Sequence, residues 1–514
     1  MATASGAAAG TRIAIAQVAL LPQRPVSRFR ASACPPLPPR SVRSSRCPSS
    51  GSETAAPSIS RALSSRHSGT LLFQASAVEP AVLHAVLALS SAHQKESYEH
   101  NSSPADSSHS LCPRERFMLL EYTEAIQHLQ PHFSSQSQSA VRVALATCAV
   151  FTSLEMFLRH YKTGIAHLHS GLKLLQFHTR YGMGDKETVV LKPSRGYIDD
   201  WIMEIFVKLH VQAALFGQSP ASLYTGLPLF PYEPLPSRFH SSYQASLYLN
   251  RVLGGILHLQ EQCCMQERQD GQPLSTDLYH SHRLLQAEHA SWLEAYKWSK
   301  SSPDDRISIR EAFAYRILRA YHTAAAIMIS TCLSPTSETR FDAHADVFLR
   351  LLTQLVEMWK VTCKGPVWHD RIMAPLPPKI YWAVADKGWL PLLYYTALKC
   401  RNHRLRVHAI KLMGALPYRE GIWNGALLIP IAREVVRIEE RDFYDGTELD
   451  DDFHCGSVPE KRELCAQPLP EANRLNGVQI ALPDHAMGKV TLKCRRRHED
   501  GSWLFFLRVY DPVT

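Results

Sequence analysis

Residues 141–177 read VRVALATCAVFTSLEMFLRHYKTGIAHLHSGLKLLQF. Val141, Ala144, Leu145, Cys148 and Phe151 fall three, four, seven and ten residues on from the first, one stripe of a helix. Ile165, Leu168, Leu172 and Leu175 repeat that period farther along. A half-buried strand would alternate every second residue, and this stretch does not. It predicts two consecutive helices and an all-α fold class. The run from Val143 to Leu154 is the most apolar in the chain. It is shorter than the roughly 18 residues a membrane span needs and is broken by Thr and Ser, so no transmembrane helix is predicted.

The same period extends both ways. Upstream, Pro80 suits a first helical turn, where its missing N–H costs nothing. Val82, Leu83, Val86 and Leu87 then form a stripe at four-residue spacing. Residues 97–113 are a polar, Ser-rich loop ending at Pro113. From Arg114 to Gln130, Tyr122, Ala125, Ile126 and Leu129 line one face, and Pro131 is expected to end that helix. Downstream, helices are predicted at 198–217, 242–262, 279–299, 309–330, 344–361, 389–399, 403–416 and 424–440. Short loops between antiparallel helices are their natural connection. No fixed repeat period emerges, so the expectation is an irregular multi-helix array rather than a solenoid.

Both ends depart from this pattern. Residues 1–70 hold nine Arg against a single acid, Glu53, together with much Ala, Ser and Pro. That composition suits a disordered segment or an organellar transit peptide, and Ile13–Leu21 could serve as a weak secretory core. Seven Pro between residues 22 and 48 do not suit a long targeting helix. At the other end, Lys489–Cys494 and Trp503–Tyr510 alternate like strands. Asp500-Gly501 between them is a hairpin turn signal, so a small C-terminal β-hairpin is predicted. The expected division is a leader at 1–70, a helical domain at 71–440, an acidic linker at 441–487 and a hairpin tail at 488–514.

Charge and chemistry narrow the function. The chain carries 56 Lys+Arg and 47 Asp+Glu. Setting aside the nine Arg and one acid of the leader leaves 47 basic and 46 acidic side chains, a nearly neutral body. It lacks the basic excess that neutralises a nucleic-acid backbone. Twelve Cys are scattered, with no C-x-x-C pair, which excludes zinc sites built on that motif. No P-loop, dinucleotide fingerprint, nucleophile elbow or H-E-x-x-H occurs. Gly182-Met183-Gly184 is half a fingerprint and reads as a loop. His167/His169 and His280/His282 are two residues apart, a spacing that sends helical rings to different faces, so they read as core or surface histidines. No catalytic, cofactor-binding or metal residue is nominated, and no enzymatic activity is expected.

Two charged clusters stand out. Glu439, Glu440, Asp442, Asp445, Glu448, Asp450, Asp451 and Asp452 interleave with Phe443, Tyr444, Leu449 and Phe453. They read as a solvated linker, or as an acidic segment that keeps aromatics available to a partner. Lys493, Arg495, Arg496, Arg497 and His498 read as a nuclear localisation patch or as an edge-strand charge cluster.

Several segments, in order, resemble the fungus-specific regulatory domain of Zn(II)2Cys6 binuclear-cluster transcription factors. They are Glu79–His93, Tyr122–Leu129, Cys148–Glu155, Ala166–Leu175, Lys208–Gly217 and Lys399-Cys400-Arg401 through Arg404, Arg406 and Ala409 to Arg419-Glu420-Gly421-Ile422-Trp423. The resemblance covers about residues 72–440. It implies an all-α domain of a nuclear transcription regulator whose helices serve regulation and partner contacts. It supplies no list of ligand residues. Upstream of residue 72 only Cys34 and Cys47 are present, where the family's zinc cluster takes six cysteines. The expectation is therefore a regulator without zinc or other cofactor. It would work with other transcription proteins and reach DNA indirectly or through a domain outside this sequence. The expected location is the nucleus, with the mitochondrion as the alternative that the Arg/Ser-rich leader suggests. A helical scaffold with no transcriptional role is the alternative function.

Overall fold

The computed structural model describes residues 66–99, 112–180, 198–217, 234–270, 273–300, 309–363, 388–444 and 451–510, with short breaks at 136, 336, 416–418, 421–422, 465–466, 486–487, 498–499 and 501. The leader up to residue 65, Gly182-Met183-Gly184, His498 and the acids at 445, 448 and 450 lie outside the described residues.

Thirteen α-helices are described. In chain order they are α1 (Arg66–Val78), α2 (Pro80–Glu99), α3 (Pro113–Phe133), α4 (Gln138–Phe157), α5 (Tyr161–Arg180), α6 (Ile198–Leu215) and α7 (Ser242–Asp270). There follow α8 (Thr276–Lys300), α9 (Ile309–Thr331), α10 (Ala345–Cys363), α11 (Leu390–Lys399), α12 (His403–Gly414) and α13 (Gly425–Glu440). The sequence period placed the later helices within a few residues of these bounds, though α7 runs on to Asp270. Pro131 behaves differently from expectation. It sits inside the last turn of α3, which continues to Phe133. A proline this close to the C-terminus forfeits one backbone bond but need not end the helix, and the Ser134 N–H closes it onto the Pro131 carbonyl.

Helix α4 is the axis of the N-terminal half. Ser137 caps it, its hydroxyl accepting the Ala140 N–H at 3.1 Å. Its residues from Val143 to Phe157 are all buried, because α2, α5 and α6 pack around it. A helix covered on all sides must be apolar on all sides. Among the described residues α4 is the one helix long and apolar enough to cross a membrane, and it is buried by the rest of the protein along nearly its whole length. Gly171 of α5 allows a close approach: a Cβ there would overlap the Phe206 ring of α6 and lie 2.9 Å from the Cys148 sulfur. Beyond this group, α7 packs on α6, α8 and α9, and α9 on α10. An aromatic hub joins the two halves: Phe216, just past α6, meets Trp423 edge-on at 4.9 Å and stacks near Tyr394 of α11 at 5.9 Å.

Two short strands, β1 (Arg419–Glu420) and β2 (Trp423–Asn424), form a small antiparallel ladder before α13. The C-terminal sheet is antiparallel in the order β3 (Leu475–Ala481), β4 (Val490–Arg497), β5 (Trp503–Tyr510). The β4–β5 pair is the predicted hairpin. The sequence did not predict β3, which lies in the stretch expected to be an acidic linker. A bulge between Asn476 and Gln479 breaks its alternation, and Gly477 supplies the positive φ of 64° there.

Candidate functional site

Two features of the structure are candidates for a functional site. One is a buried ionic seam joining the helical body to the C-terminal sheet. The other is the sheet's outward face.

The seam begins with α12, an amphipathic helix whose buried side is basic. Arg406 is wholly buried. Its Nη2 meets Glu439 Oε2 at 2.5 Å, its Nη1 meets Glu440 Oε1 at 3.2 Å, and its Nε donates to the Ala397 carbonyl at 3.0 Å. Arg401, in the turn before α12, bridges Glu439 Oε1 at 2.9 Å and Glu338 Oε2 at 2.8 Å. Lys399 reaches the other oxygen of Glu338 at 2.7 Å. Glu439 also accepts the Leu475 N–H at 2.8 Å, which fixes the start of β3 against α13. Arg474, next in the chain, clasps Asp342 through two nitrogens at 2.9 and 2.6 Å and donates to the Glu338 carbonyl at 3.0 Å. Burial opposes the charge on Glu439, but Arg401 and Arg406 outweigh it and hold that carboxyl below its ordinary range. Burial likewise opposes the charge on Arg401, and Glu439 and Glu338 reverse the effect.

Glu338 and Glu439 are buried and engaged on both oxygens by cationic side chains, so their chemistry is structural. The seam also sorts the acidic cluster. Glu439 and Glu440 are buried partners of α12, not part of a solvated segment. His403 holds Glu440 at 2.7 Å and Asp451 at 3.2 Å, and although burial opposes it, the two acids raise the imidazole above its ordinary value. Phe453 is clamped between the Arg404 guanidinium at 3.3 Å and the Lys411 ammonium at 4.1 Å. Tyr444 is buried against Phe443 and His403. Neither Phe453 nor Tyr444 is displayed for a partner. The cations of α12 draw the chain after α13 back onto the body.

The second basic cluster is split by the pleat of β4. Val490, Leu492, Cys494 and Arg496 point inward, while Lys493, Arg495 and Arg497 lie on the outward face. Burial lowers the Arg496 guanidinium. Across from the outward cations, Leu507, Phe505 and Trp503 of β5 are exposed.

The histidine pairs separate as their spacing implies. His167 is buried against the Phe151 ring at 5.6 Å, and burial pushes it down to about 4. His169 is only partly buried, His280 is exposed, and His282 donates Nε2–H to the Ile329 carbonyl at 2.9 Å. Among the described residues, no three His, Cys, Asp or Glu side chains converge as metal ligands. Burial pushes the Cys148 and Cys332 thiols up to about 12 and those of Cys263, Cys400 and Cys494 up to about 11, so these five are protonated side chains.

Sequence reasoning missed the seam. Its signal was available as charge at positions that should be core: Arg401, Arg404 and Arg406 amid an apolar period, and Glu439-Glu440 closing one.

Comparison with known proteins adds a direct clue. The chain is similar to a fungal transcription regulator. It is 22% identical over 453 residues to the aspercryptin biosynthesis cluster-specific transcription regulator atnN of Emericella nidulans, covering 73% of this chain and 70% of that protein. No family model and no solved structure matches. The relative fits the fungal transcription-factor resemblance carried by the ordered helical segments, and it supports a general role in transcription regulation.

Proposed function

We propose that this protein is a nuclear transcription regulator of the fungal zinc-cluster family type. Its helical array acts as the regulatory domain and engages other transcription proteins, and no catalytic step is involved. DNA is reached through those partners or through a domain outside this sequence. The observation that carries the reading is the similarity to a cluster-specific transcription regulator over 73% of the chain. The near-neutral body supports the indirect route to DNA, since direct binding draws most of its strength from released counterions.

The test is deletion of the gene with transcript profiling, beside fluorescent tagging of the full chain. A nuclear signal and a coherent set of changed transcripts are expected. Exclusion from the nucleus together with an unchanged transcript profile would reject the reading, and a mitochondrial signal would favour the leader-directed scaffold.

A further inference from the structure

Among the described residues β5 is an edge of the C-terminal sheet, and its outward row is apolar. Trp503, Phe505, Leu507 and Val509 are 36%, 73%, 58% and 54% exposed. Natural sheets usually blunt such an edge with charge or cover it. Here the charge lies one strand further in. Lys493, Arg495 and Arg497 stand directly across from Leu507, Phe505 and Trp503. The Arg495 guanidinium lies 4.3 Å from the centre of the Trp503 ring. Paired strands run about 4.8 Å apart. A basic lane therefore lies beside an apolar lane on a single face. The other outward positions, Gln479, Ala481 and Thr491, add no acidic side chain.

We propose that this face docks an acidic segment bearing aromatic or large aliphatic side chains, presented by a partner protein. Its carboxylates would lie over the β4 cations and its apolar side chains over the β5 row. Charge complementarity favours this occupant. A polynucleotide fits less well. Leu507 and Val509 offer no ring on which a base could stack, the Trp503 ring already carries Arg495, and three cations neutralise few phosphates. A second copy of the chain laid on this face would set cations against cations. The proposal rests on the regulatory reading for its biological sense. Binding itself is measured without any transcriptional readout, so either can fail alone.

The experiment uses the full chain and a fluorescein-labelled peptide built from Asp, Glu, Phe and Leu, followed by fluorescence anisotropy. Control peptides replace Phe and Leu with Ser, or Asp and Glu with Lys. The proposal expects saturable binding of the first peptide alone. Phe505→Ser with Leu507→Ser should weaken it roughly tenfold or more, and so should Lys493→Glu with Arg497→Glu. All four side chains lie on the outward face, and an unchanged melting temperature establishes that the variants fold. The charge-reversed variant should gain affinity for the Lys-containing peptide, which loss of fold would not produce. Equal binding of the Ser control, or insensitivity to both double substitutions, overturns the proposal. So does preferential binding of a labelled single-stranded oligonucleotide at these residues, or a dimer by sedimentation that the same substitutions dissociate.

Discussion

His289 of α8 and His322 of α9 stack face to face, ring centroids 3.7 Å apart and planes 12° from parallel. Each is tied to the other's backbone: His289 Nε2 donates to the His322 carbonyl at 2.9 Å, and His322 Nε2 to the His289 carbonyl at 3.0 Å. With Nε2 protonated, His322 Nδ1 is free of hydrogen and accepts from Arg319 Nη1 at 2.7 Å. Protonation would leave both Nε2–H bonds in place, but it would take from Arg319 its acceptor on His322 Nδ1 and put a charge in a buried site. Burial lowers both imidazoles, with the neighbouring histidine adding to the effect on His322, which falls from 6.5 to about 3.

This clasp is expected to make the protein acid-sensitive. A histidine whose folded pKa is depressed binds fewer protons folded than unfolded, so stability is full above the unfolded value near 6.5 and falls below it. At pH 5 the loss from His322 is about 2 kcal/mol. His167, His210 and His408, each lowered to about 4, act in the same direction. Urea denaturation of the full chain at pH 7.5 and pH 5 measures the difference. His322→Gln, which keeps a donor but does not titrate, should flatten the slope by close to one proton. An unchanged slope would assign the acid sensitivity to the other histidines.

The buried seam should show strong coupling between Arg406 and Glu439. Arg406→Leu strands part of a buried carboxylate, and breaking such a pair costs about 3–5 kcal/mol. Combining it with Glu439→Leu should restore part of that loss, because the unpaired charge goes too. Full restoration is not expected, since Glu439 also serves Arg401 and the Leu475 N–H. A double-mutant cycle in urea reads the coupling. Simple additivity would show that the two side chains act independently.

Glu420 caps α11, and Gly388 makes room for it. The buried carboxyl accepts the Trp389 and Leu390 N–H groups at 3.1 and 3.2 Å. Burial raises it to about 8 against these bonds, so it is largely protonated at neutral pH. A folded carboxyl raised in this way adds stability below its unfolded value of 4.5, and that contribution is lost as pH climbs toward 8. Glu420→Gln should cost under about 1 kcal/mol at pH 7, whereas Glu420→Ala orphans two N–H groups and should cost about 1–3 kcal/mol. Gly388→Ala should match the Ala variant, because its Cβ would collide with the carboxylate. Thermal melts across pH 5–8 should set the Gln variant apart from the other two.

The helices were legible because their cores repeat on one period. Val141 to Phe151 and Ile165 to Leu175 reveal their faces without any neighbour. Pro131 misled because its effect depends on distance from the helix end, which the tertiary contacts of α3 decide. β3 was hidden because its bulge at Gly477 interrupts the alternation that marks a strand. The seam was hidden for another reason. Arg406 and Glu439 lie 33 residues apart in the chain, and each alone reads as a surface charge. Only the fold shows that one neutralises the other.

The crossing of α4, α5 and α6 gives the sharpest packing test. Gly171 lies where a methyl group would overlap the Phe206 ring and press on Cys148. The Cys148 thiol donates to the His167 carbonyl at 3.0 Å, and Cys148 sits at the centre of the core, so neither neighbour has space to retreat into. Gly171→Ala would gain a little from helix propensity, worth about 1 kcal/mol. Overpacking costs about 1–3 kcal/mol and should prevail, giving a net loss of stability. Phe206→Leu alone should also destabilise, by opening a void. Together the two should be less harmful than their sum, because the shorter side chain yields the volume that the methyl needs. Chemical denaturation of the four proteins in the cycle checks this, and strict additivity would mean that the helices shift apart instead.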